Sequence, residues 1–145
     1  MKIVWQSFVD QALNAPYISR LESYLNANSS ADTTIKVIGI TPPARDFGRL
    51  QEFRCASSAI RNAIVAEREG ADAFVIGHFQ EPGLYEARSA ISIPVVGVGE
   101  ATLLWASHLG RRIGLVSLDD IFEVIHYEQV DRYGFADRLI GVEAI

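Results

Sequence analysis

The sequence predicts an α/β fold: an open, mainly parallel sheet with helices on both faces, in the manner of a Rossmann-like or flavodoxin-like lobe. Three features predict it. Short apolar runs of strand length alternate with stretches of helical periodicity along the 145 residues. The runs lack the polar alternation of a half-exposed strand, so both their faces are expected to be covered. The βαβα order requires parallel pairing through right-handed crossovers.

The elements follow in order. Ile3-Val4-Trp5 forms the first strand and delivers polar Gln6-Ser7 at its end. Asn14-Ala15-Pro16 suits a helix start, and Ile18, Leu21 and Leu25 recur at helical spacing until Asn26-Ala27-Asn28. Residues 35–40 form the second strand, and the paired prolines Pro42-Pro43 make residues 41–48 a loop. From Leu50 to Glu69 a helix carries Leu50, Phe53, Ser57, Ile60 and Ile64 as its apolar stripe, with Ala56, Ala59, Ala63 and Ala66 as a small flank and Gly70 as its stop. Residues 73–77, 93–98 and 113–118 are strands three to five, with helices over Leu84–Ala90, 100–109 and 120–133, and residues 139–142 form a sixth strand.

Composition narrows the function. A formal charge of -5 with scattered arginines gives no phosphate-backbone footprint, so nucleic acid is not an expected partner. The N-terminus lacks a signal-peptide h-region, and no apolar run approaches the ~20 residues that span a bilayer. The single cysteine, Cys55, has no internal disulfide partner, which suits a reducing, cytoplasmic setting. Cys55 itself is expected in the packed core of its helix. His108 is expected at a helix end and His126 on the surface. The spacing of these histidines matches no metal site, so no metal is expected.

In open parallel sheets ligands bind beyond the carboxyl ends of the strands. The candidate contacts there are Gln6, Ser7, Thr41, Arg45, the turn His78-Phe79-Gln80-Glu81-Pro82, Gly99, Glu100 and Ser117. His78 is the candidate acid or base, because imidazole titrates nearest neutrality. Glu81, three positions on, is the candidate second catalytic group, although an acid at a helix start is also favoured by the helix dipole alone. Arg45 would suit a bidentate grip on a carboxylate. Gly97-Val98-Gly99-Glu100-Ala101-Thr102 superficially matches a dinucleotide fingerprint, but Thr102 stands at the third glycine position and the segment follows the fourth strand, so no dinucleotide is expected.

The run from Ala71 to Leu84, Gly-Glu-Ala after Ile93-Pro94-Val95-Val96, and Leu109-Gly110-Arg111-Arg112 before the fifth strand together resemble the Asp/Glu/hydantoin racemase family in register from Ala71 to Leu118. The resemblance implies a two-lobed fold, with residues 1–110 as the first α/β lobe and 111–145 as the opening β-α-β of a second, truncated one. It implies a cofactor-independent racemase or epimerase acting on a small carboxylate or cyclic amide, in a homo-oligomer. It places His78 at the family's first catalytic cysteine position, Phe79 to Pro82 in the adjoining anion-binding turn, and Ser117 at a hydroxyl position opening the second lobe. Two departures leave decarboxylation, cis–trans isomerisation, ring-opening hydrolysis or non-catalytic binding open: imidazole replaces the thiol, and Gln6-Ser7-Phe8-Val9 replaces the family's Asn-Pro-Asn-Thr.

Overall fold

The computed structural model describes residues 1–41 and 48–145. The Pro42-Pro43 loop expected from the sequence, with Arg45, lies outside the described residues. The chain divides into two compact units, Met1–Val98 and Gly99–Ile145.

In the first unit the strands β1 (Lys2–Asp10), β2 (Thr34–Ile40), β3 (Ala73–Ile76) and β4 (Val95–Gly97) form one parallel sheet in the order β2-β1-β3-β4. Three helices connect them: α1 (Ala15–Ala27), α2 (Arg49–Arg68) and α3 (Leu84–Ala90). The chain steps one way from β1 to β2 and the other way from β2 across to β3. With right-handed crossovers this sends α1 to one face and α2 and α3 to the other. The packing follows: α1 lies on β2, while α2 lies on β1 and β3 and also touches α3. The order therefore reverses between β1 and β3, and their carboxyl ends open the crevice where such sheets bind ligands. There β1 runs on to Asp10, four residues beyond the expected polar exit at Gln6; the register slips between Gln6 and Asp10, where pairing to β2 resumes at Ile40.

The core lies between β1, β3, β4 and the α2–α3 layer: Ala63, Ala66, Phe74, Ile76, Leu84, Ala87, Ile91 and Val95. Each large apolar side chain sealed there, such as Phe74, Ile76 or Leu84, contributes about 1.5–3 kcal/mol. The buried face of α2 corrects the sequence reading. Cys55, Ala59, Ala63 and Ala66 are its buried residues, whereas Phe53 is 75% and Leu50 50% exposed. Small side chains let the helix backbone approach the sheet and α3 closely. Gly83, at φ +79, completes that approach, since a Cβ there would meet the Ala56 backbone at 3.0 Å.

The second unit pairs β5 (Ile113–Ser117) and β6 (Leu139–Ala144) in parallel, joined through α5 (Glu123–Arg132). Helix α4 (Val98–Leu109) leads into it. Arg138 closes the end of α4: its guanidinium donates to the carbonyls of Ser107 at 2.8 Å and Gly110, and through Nε to Arg111 at 3.0 Å. The expectation that every strand is covered on both faces fails here, because Val116 is 72% and Ile140 60% exposed. His126, expected on the surface, is buried in α5 beside Val130. Burial lowers the proton affinity of its imidazole below the ordinary value, partly countered by a hydrogen bond with Gln129. Among the described residues no helix is long and apolar enough to cross a membrane.

Candidate active site

The crevice at the β1/β3 switch point is built by three segments: the second half of β1, the first turn of α2, and the turn from β3 into α3. His78 stands on the last of these, two residues past the end of β3. Gly77 N–H donates to the Gln6 carbonyl at 2.9 Å, which carries the β3 chain up to the turn. Gly77 has a steric reason to be glycine, because a Cβ there would collide with the Trp5 indole. Phe8 of β1 tilts against the His78 ring, centroids 5.4 Å apart. The His78 side chain keeps 30% of its surface exposed, so it is held and still reachable.

Facing it is a residue that the sequence reading passed over. Glu52 Oε1 stands 3.8 Å from His78 Nε2, and the carboxylate side chain is only 16% exposed. Desolvation pushes the Glu52 carboxyl up to about 7. Burial, helped by Glu52, pushes the nearby Cys55 thiol up to about 11, so Cys55 is an uncharged core residue, as expected. The signal for Glu52 was present in the sequence: positions 52, 55, 59, 63 and 66 fall on one helical stripe, so Glu52 extends the buried face of α2 by one turn toward the strand ends.

Four polar atoms on β1, α2 and the turn after β3 are sealed from solvent without a hydrogen-bond partner among the described residues: Trp5 Nε1, Gln51 Oε1, Glu52 Oε1 and Gln80 Oε1. Buried polar groups are normally satisfied, and of these four the Trp5 indole nitrogen lies directly against Gly77. Three of the four accept and one donates.

The other expected contacts fare differently. Gln6 is fully buried and its amide is committed within the protein: Nε2 donates to the Ser7 and Gly39 carbonyls, and Oε1 accepts from Asn62 at 2.6 Å. It ties β1 to β2 and α2 instead of facing outward. Ser7 is also buried, whereas Thr41 is exposed and its hydroxyl donates back to the Ile40 carbonyl. Phe79 and Gln80 are half-buried on the turn beside His78, and Pro82 is buried. Glu81 is 6% exposed with φ +57, and its carboxylate lies over Gly97 of β4, where any Cβ would overlap it. Gly97 therefore serves this close approach, and the expected dinucleotide decoy resolves into the end of β4 and the first turn of α4. Gly99 and Glu100 occupy that turn, Gly99 buried as part of regular helix and not as a tight loop. Ser117 ends β5 as a buried residue whose hydroxyl donates to the Asp119 carbonyl at 2.9 Å. These last three belong to the second unit. Among the described residues no group of His, Cys, Asp and Glu is placed to hold a metal ion.

Comparison with known proteins agrees with this architecture. The family model described as Asp/Glu/Hydantoin racemase matches residues 14–145. The chain belongs to the Asp/Glu/hydantoin racemase family. Within this racemase family the chain is similar to a hydantoin racemase of Pseudomonas sp. (strain NS671), 30% identical over 119 residues that make up 80% of this chain and 48% of that protein. A hydantoin racemase of Rhizobium meliloti is 29% identical across 96% of this chain and 54% of its own length. The allantoin racemase from Klebsiella pneumoniae superimposes with a TM-score of 0.88 at 21% identity, over 99% of this chain and 58% of that one. The allantoin racemase from Pseudomonas fluorescens gives 0.82 at 20% identity. The chain thus spans about half the length of the hydantoin racemases it matches.

Proposed function

We propose that this racemase-family chain acts in the cofactor-independent racemisation of a small cyclic amide of the hydantoin or allantoin kind, with His78 as the acid/base group. The observation that carries the reading is an accessible imidazole just past a strand end at the switch point, with the buried Glu52 carboxyl 3.8 Å from its Nε2. A carboxylate substrate brings only acceptors, and the Glu52 carboxylate would repel it. A cyclic ureide is neutral and brings ring N–H donors instead. The proton to be removed sits on C5, the ring carbon between N1 and the C4 carbonyl; when imidazole takes it, the C–H electron pair rests on that carbonyl as an enolate. The turn from Phe79 to Pro82 frames that end of the ligand. Glu81, sealed over Gly97, props the turn and does not exchange protons with substrate. Racemisation further requires a proton delivered from the opposite side of the carbon, so a second acid completes the reaction. We also infer a homo-oligomer in the cytoplasm. The exposed Trp105 (72%) and Leu109 (86%) favour association, and ultracentrifugation reads it directly.

The test uses one enantiomer of a 5-substituted hydantoin, and of allantoin, with the protein in D2O. Deuterium entering at C5 faster than in the protein-free control, together with its loss in His78→Ala, is the expected result. Exchange that survives in His78→Ala, or that never exceeds the control with either compound, would overturn the reading.

A further inference from the structure

We propose that Glu52 is the positioning partner of His78: it faces the imidazole across the crevice, fixes the ring's orientation and balances the charge the ring acquires when it takes the substrate's proton. The inference rests on the proposed acid/base role of His78 and deepens it. The geometry is direct. Glu52 Oε1 is 3.8 Å from His78 Nε2, within ion-pair reach. That same oxygen is cut off from water and has no hydrogen-bond partner among the described residues, so a small rotation of either side chain gains it a donor. Phe8 packs against the ring and limits its movement. The carboxylate is delivered from a different element, the first turn of α2, so its position is set by the Cys55–Ala66 stripe anchoring that helix on the sheet.

The charge accounting closes within the pair. When imidazole nitrogen takes the carbon-bound proton, the C–H electron pair stays with the substrate as an enolate and a positive imidazolium forms. The Glu52 carboxylate offsets that charge, and no bond on Glu52 is made or broken. Burial raises the Glu52 carboxyl to about 7, so from near neutrality upward an ionised carboxylate stands beside the ring. Other titratable or charged groups on the surrounding elements include Arg49, Arg54, Cys55 and Arg61 on α2, Asp10 on β1, and Glu81 on the His78 turn. The Cys55 thiol, pushed up to about 11, stays neutral throughout this range.

The experiment is a titration of the ring protons of His78 by NMR in the complete chain, paired with kinetics. His78 is told from His108 and His126 by its absence in His78→Ala. In Glu52→Gln the His78 midpoint is expected to fall by about one pH unit, since a carboxylate neighbour that favours imidazolium has gone. Glu52→Asp, with a carboxylate one methylene shorter, should recover part of that shift and serves if the glutamine variant folds poorly. In the exchange assay Glu52→Gln should lower kcat about 100-fold while KM changes little. A His78 midpoint that is the same in wild type, Glu52→Gln and Glu52→Asp overturns the pairing whatever the kinetics show. A shifted midpoint in a protein that exchanges no substrate proton would uphold the pair and sink the proposed reaction instead.

Discussion

Replacing Glu52 by glutamine should make the fold more stable above neutral pH, although it removes a group from the crevice. In the unfolded chain this carboxyl ionises near its ordinary 4.5, and in the native chain only near 7, because desolvation disfavours the charged form. Its folded-state affinity for the proton is raised, so its contribution to stability is complete below about pH 4.5 and is lost as pH rises through 7. Over that window the unfolded state binds fewer protons than the native one, which makes the slope of stability with pH negative. At 1.36 kcal/mol per pH unit, the difference between 4.5 and about 7 amounts to roughly 3 kcal/mol, an upper figure because an imidazolium on His78 offsets part of it. Glutamine has nearly the same shape and no charge to desolvate. Urea unfolding of both proteins at pH 4.5, 6, 7.5 and 9 measures the effect. The stability of Glu52→Gln relative to wild type should climb by about 2–3 kcal/mol between pH 4.5 and 7.5 and then level off. Taking the difference cancels His126 and the other groups that titrate alike in both proteins, leaving Glu52 and its neighbour His78. A difference that stays flat from pH 4.5 to 9 would show that Glu52 is hydrated in solution and that the desolvation reasoning fails.

His126 pulls the other way. Its folded-state affinity for the proton is lowered by burial, so its contribution is present above its ordinary 6.5 and is lost as pH falls. His126→Gln should therefore flatten the acid side of the wild-type stability curve, and an unchanged acid limb would count against its burial. Gly97→Ala would drive a methyl into the Glu81 carboxylate. It should cost about 1–3 kcal/mol and lower exchange activity through the displaced turn, and a variant with wild-type melting and turnover would show that Glu81 does not rest there. Asn62→Ala leaves the Gln6 Oε1 atom unsatisfied in the core, so a loss of about 1–3 kcal/mol is expected from denaturant unfolding. His78→Ala should melt like wild type while losing deuterium exchange.

The sequence by itself determined the order of strands and helices, the parallel pairing and the placing of His78 just past a strand end. All of these rest on local information: apolar run length, helical period, and glycine or proline at the breaks. What it left undecided is which face of each element turns inward and what stands opposite. The stripe through Leu50 and Phe53 is the more apolar, yet α2 buries Cys55 and three alanines, because the distance to the sheet and to Gly83 admits only small side chains. Gln6 reads as a strand-end contact, yet β1 continues to Asp10 and turns that amide into the interior. Glu52 lies 26 positions from His78 in the chain and 3.8 Å from it across the crevice. Only the register of β1 between β2 and β3, a sum of long-range contacts that no local window contains, brings α2 over that strand end and makes a solvated-looking carboxylate the neighbour of the imidazole.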